Sequence, residues 1–93
     1  MDKLYNKDIQ LGLDKLNGWG LVDGKLYKEY EFKDFNQAFE FMELLAKVAN
    51  KLNHHPDWSN SYNKVFISLA THSVGGITTA DFKLAEAADK IAT

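Results

Sequence analysis

All three histidines of the chain lie between positions 54 and 72. Histidine suits proton transfer, because an unperturbed pKa of roughly 6.5 keeps both of its forms populated near neutrality. Two imidazoles on opposite sides of a ligand could supply an acid and a base together. A three-histidine zinc site is a second chemistry open to such a trio. Against it, the sequence holds neither a His-x-His pair nor two histidines one helical turn apart. The bland alternative is that these are surface or helix-capping histidines, since a His-His-Pro turn alone is a weak signal.

The elements around them decide whether the three can meet. His54 and His55 directly follow a long helical pattern and precede Pro56, the only proline, which forces a turn. His72 ends the strongest strand pattern, where Val65, Ile67 and Leu69 alternate with Phe66, Ser68 and Ala70 from Lys64 to Thr71. Element ends are where a rigid scaffold presents side chains to a ligand. A nine-residue strand spans about 30 Å, so His72 returns to His54 only if the chain doubles back. Asp57 to Tyr62 supply a partner strand and Asn60 to Asn63 a turn for that doubling.

Upstream, Ile9, Leu13 and Leu16 predict a modest amphipathic helix over about 6–16. Trp19 to Val22 and Lys25 to Phe32 flank Asp23-Gly24, a dipeptide that favours a two-residue hairpin. Asp34 with Gln37 is an N-cap arrangement opening the long helix to about Leu52. That helix carries two apolar stripes, Phe35-Ala38-Met42-Leu45-Ala49-Leu52 and Phe41-Leu44-Val48. Either the fold wraps both, or the second meets another subunit. Thr78 and Asp81 read as a capping box opening a last helix with Phe82, Leu84, Ala85, Ala88 and Ile91. The order is α-β-β-α-β-β-α, an α+β single domain over residues 1–93 with helices layered on an antiparallel sheet.

Composition narrows the function classes. Ninety-three residues suffice for one core, and the absence of cysteine excludes disulfides, thiolate metal sites and thiol nucleophiles. A formal charge of −2 gives no general attraction to nucleic acid or acidic membranes. All eleven basic residues are lysine, so the bidentate arginine clamp for phosphates is missing. The N-terminus lacks the apolar run of a signal peptide and nothing approaches a membrane span, which points to the cytoplasm.

The residues around the histidines have a recognisable spacing. Asn53-His54-His55-Pro56-Asp57-Trp58-Ser59-Asn60, then Tyr62-Asn63-Lys64-Val65, then Thr71-His72 before Gly75-Gly76 and Thr78, resemble the signature of the pterin-4a-carbinolamine dehydratases. In that family His-His-Pro is followed by an aromatic six residues beyond the proline, a histidine ten further on, and an aspartate nine beyond that. Tyr62, His72 and Asp81 stand at those places. Gly18-Trp19, Phe32-Lys33-Asp34-Phe35, Ala38-Phe39 and Phe41-Met42 also look like the family, so the likeness runs from about Trp19 to Ala88.

The resemblance implies a four-stranded antiparallel sheet with three helices on one face. It also implies dehydration of 4a-hydroxytetrahydropterin to quinonoid dihydropterin, with no metal or organic cofactor, by a homodimer or homotetramer. Carried over, His54 and His72 take the acid and base roles. His55 holds the substrate, with Trp19, Asn50, Pro56 and Asp57 around it. Trp19 is as much a core residue as a pocket wall, Trp58 and Tyr62 are core or pocket wall, and Asp81 reads first as a helix cap. Two positions depart from the family: Asn50 replaces an acidic or basic residue, and Ala80 a residue that is often basic. Both bear on substrate affinity or identity more than on the histidines. Competing readings are a non-enzymatic protein-binding or dimerisation module, and a role with a molybdenum-linked pterin. The intact trio argues against a pure binding module.

Overall fold

The computed structural model describes residues 2–93. Its elements are α1 (Asn6–Asp14), β1 (Gly20–Val22), β2 (Lys25–Glu31), α2 (Phe35–Leu52), β3 (Asp57–Ser61), β4 (Lys64–Leu69) and α3 (Thr79–Ala92), with a 3₁₀ turn at His72–Val74. The strands form one antiparallel sheet in the order β1-β2-β4-β3. This is the expected α+β order, with three helices over the sheet face that carries Leu26, Val65, Ile67 and Leu69.

Local chemistry sets the boundaries. Asp23 and Gly24 both take positive φ, 51° and 75°, which matches the twist of a tight hairpin between β1 and β2. The α1 helix stops at Asp14, shorter than expected, because Lys15 and Leu16 bond three residues back to Gly12 and Leu13. Gly12 has a further role: a Cβ there would lie 2.5 Å from the ring of Phe82, so α1 and α3 approach closely at this point. Asp34 caps α2 by accepting from the Gln37 N–H at 2.9 Å. At the other end Asn53 adopts φ 51°, its N–H bonds to the Asn50 carbonyl, and the His54 N–H bonds to that of Ala49. That is a Schellman ending, and it fixes the backbone from which His54 projects.

The two stripes expected on α2 resolve differently. Ala38, Phe41, Leu45 and Ala49 are the buried line, with Met42 and Val48 packed at its sides. Phe41 crosses into the core because its ring meets Tyr30 and Phe32 at centroid distances of 4.8 and 5.0 Å. Phe35, Leu44 and Leu52 are left exposed, and Phe35 stacks on the exposed Phe39.

A polar knot ties β2 to α3. Asp89 Oδ1 accepts from Trp19 Nε1 at 3.1 Å, from Lys28 Nζ at 2.7 Å, and from the Tyr30 hydroxyl. Burial first, then the bond to Asp89 and its charge, push the Tyr30 phenol far above its ordinary value. The unfolded chain loses that proton near pH 10 while the folded chain keeps it, so stability falls as pH rises above about 10. Urea midpoints compared between pH 9 and 11.5 should show a smaller alkaline loss in Tyr30→Phe than in the parent.

At the start of the chain, the Leu4 N–H bonds to the Ile77 carbonyl at 2.7 Å, and the Lys3 stem lies against Gly76. Among the described residues, no helix is long and apolar enough to cross a membrane.

Candidate active site

The period of β4 carries one position beyond the strand. Val65, Ile67 and Leu69 face the helices, and Thr71 continues that side as a buried hydroxyl. A buried hydroxyl needs a partner. Its Oγ1 lies 2.9 Å from Asp81 Oδ2 and 2.9 Å from Thr78 Oγ1. The Asp81 carboxylate is fully buried and performs two tasks. Oδ2 accepts from the Thr78 N–H at 2.9 Å, which completes the capping box of α3. Oδ1 contacts His54 Nε2 at 2.5 Å. The expected cap is there, and the same carboxylate grips the first histidine.

His55 is exposed, and its Nε2 lies 2.9 Å from Asn50 Oδ1, one turn back on α2. An amide at position 50 therefore orients His55 without adding a charge. His72 stands just past Thr71 with its side chain 81% exposed, and its Nε2 is 3.8 Å from Asp57 Oδ2. Lys25 approaches the same carboxylate at 4.0 Å from the hairpin tip. These two contacts are exposed and loose, so they steer charge more than they fix geometry.

Thr71 joins the two halves. Through Asp81 it touches His54, along the backbone it carries His72, and its bridge to Gly76 closes the loop between. The doubling through β3 and β4 thus returns His72 to the end of α2, as the hairpin register of Asp57 opposite Ser68 requires. A cleft of about 310 Å³ opens beside His72, lined among others by Lys25, Thr71 and Gly75. His54 and His55 do not line it. His72 returns to the corner where α2 ends, with its Nε2 against Asp57. Pro56 is half-buried there, leading into β3. Among the described residues, no group of three or more His, Cys, Asp or Glu side chains is placed to hold a metal ion.

Of the two readings open for Trp19 the core one holds, and Tyr62 is not a core residue. Trp19 is 8% exposed, lies edge-on to Tyr30 and bonds to Asp89, so its faces pack inside rather than offering a stacking surface. Tyr62 sits with φ 53° and 66% exposure in the turn joining β3 to β4. At about 3.3 Å per residue, the five steps from Asp57 place it about 16 Å along the strand from the histidines. Trp58 is packed against the core. Thr71 is the site residue that sequence reasoning missed. Its signal was its place at the next inward position of β4.

Comparison with known proteins gives the family. A family described as pterin 4 alpha carbinolamine dehydratase matches residues 2–91. A Solibacter usitatus protein provisionally named a pterin-4-alpha-carbinolamine dehydratase is 48% identical over 90 residues, covering 97% of this chain and 95% of that one. The Drosophila melanogaster pterin-4-alpha-carbinolamine dehydratase is 51% identical over 70 residues, covering 73% of this chain and 36% of that longer protein. A crystal structure of a transcriptional coactivator/pterin dehydratase from Brucella melitensis superposes with a TM-score of 0.96 at 42% identity, covering 99% of this chain and all of that one. A pterin dehydratase-like RuBisCO assembly factor of the alpha-carboxysome shares the fold, with a TM-score of 0.69 at 23% identity. With the family matched over nearly all its length, the chain belongs to the pterin-4a-carbinolamine dehydratase family.

Proposed function

We propose that this protein dehydrates a 4a-hydroxytetrahydropterin to the quinonoid dihydropterin, recycling a tetrahydropterin cofactor in the cytoplasm. The observation that carries the reading is the link from His54 through Asp81 to Thr71, the neighbour of His72. It supports the reading by tying His54 at the end of α2 to the residue that precedes His72. In the reaction the C–O bond of the carbinolamine breaks, and the departing oxygen takes a proton and leaves as water. The neighbouring ring nitrogen gives up its proton, and its electron pair forms the new C=N bond. One acid and one base suffice. His54 and His72 take those two roles, while His55, oriented by Asn50, holds the ligand beside Pro56 and Asp57.

The test is to add purified protein to freshly generated 4a-hydroxytetrahydropterin and follow formation of the quinonoid product by absorbance. A rate well above the uncatalysed one is expected. A rate equal to it would remove the dehydratase reading and favour a protein-binding module. The exposed Phe35, Phe39, Leu44 and Leu52 on α2 suit contact with a second copy of the chain. Light scattering should then return a mass above 10.6 kDa.

A further inference from the structure

We infer that Asp81 is a positioning residue that holds His54 with its proton on Nε2, leaving Nδ1 as the nitrogen that exchanges a proton with the ligand. This rests on the dehydratase reading above.

Every proton of the buried cluster around Asp81 can be assigned. A carboxylate can only accept hydrogen bonds. With Asp81 ionised, Oδ1 can only accept from His54 Nε2 2.5 Å away, so that nitrogen bears the hydrogen whatever the charge of the ring. Oδ2 accepts the Thr78 N–H and the Thr71 hydroxyl, each at 2.9 Å. The single Thr71 hydrogen is thereby used, so the 2.9 Å contact between the two threonine hydroxyls is donated by Thr78. The carboxylate is fully buried and cannot turn to water, and its backbone partner cannot reverse the direction of its bond.

The other ring nitrogen completes the case. Among the described residues, His54 Nδ1 has no hydrogen-bond partner, and no buried side-chain nitrogen or oxygen lacks one. Nδ1 is therefore not sealed off within this ring, whose side chain is only 10% exposed. Neutral His54 then presents a bare Nδ1 that takes a proton. The imidazolium gives the same proton back from the same atom, so the balance with the ligand is one proton either way.

Two measurements test this. In protein labelled with ¹⁵N at histidine, long-range ¹H–¹⁵N correlations on the neutral ring should show Nε2 protonated and Nδ1 bare. An Nδ1–H ring would overturn the inference, even in an active enzyme. In Asp81→Asn the amide oxygen must stay with the Thr78 N–H, which turns the amide NH₂ toward His54 and forces Nε2 to accept. The tautomer should invert, and kcat should fall about 10²-fold or more with KM changed less than about threefold. An inverted tautomer with an unchanged kcat would overturn the role given to Nδ1. Should that variant fail to fold, the wild-type spectrum decides the matter alone. The two claims separate cleanly, because an inactive wild-type protein defeats the dehydratase reading, whereas the spectrum reads the tautomer without any turnover.

Discussion

Alanine at His54 and alanine at His72 are each expected to lower the dehydration rate by about 10²-fold or more, the usual worth of one positioned acid or base. Their effects on stability should differ. His54 is the partner of a fully buried carboxylate, so His54→Ala leaves Asp81 Oδ1 with nothing to accept from. Losing a hydrogen bond to a buried charged group costs about 2 kcal/mol. The His72 side chain is 81% exposed and its contact with Asp57 is loose, so His72→Ala should stay within about 0.5 kcal/mol of the parent. Steady-state rates and urea midpoints measured on the same preparations separate the two effects. Parent-like rates in both variants would remove the mechanism. A parent-like midpoint in His54→Ala would show that the grip on Asp81 contributes little.

Leu45→Ala should cost about 2–5 kcal/mol, because this side chain is fully buried where α2 packs on β4 and α3. For a domain whose whole stability is about 5–15 kcal/mol, that is a large share. The neighbouring Leu44→Ala removes a side chain that is 42% exposed and should cost less than about 1 kcal/mol. Chemical denaturation of the pair is a direct check on which face of α2 meets the sheet. Equal losses would mean that the helix is rotated from the position described.

The contrast within α2 shows what the sequence could and could not reveal. Both stripes are equally apolar, so periodicity alone could not choose between Leu44 and Leu45; the choice comes from where α3 and the Tyr30 and Phe32 rings lie. Elements fixed by neighbours in the chain were legible: the Asp23-Gly24 turn, the Asp34 cap, the Thr78–Asp81 box and the alternation of β4 all formed as the residues predict. Partners distant in sequence were not. Nothing near Trp19 announces Asp89, seventy positions away, and so its ring could be read as a pocket wall. Asp81 was legible as a cap, while its hold on His54 needed the fold to bring two chain segments together. The histidine spacing was informative about family, and the convergence of His54 and His72 depended on a turn at the far end of the β3–β4 hairpin.

The bond between Leu4 and Ile77, with Lys3 laid over Gly76, works as a clasp on the loop that presents His72. The leading residues are thus tied to the end of the loop that carries His72. A fusion tag attached upstream would meet the backbone at Gly76 and Ile77, a few residues after His72. Kinetic comparisons between variants are sound only when every preparation begins with identical residues, and amide exchange at Leu4 becomes an inexpensive gauge of whether the loop is seated.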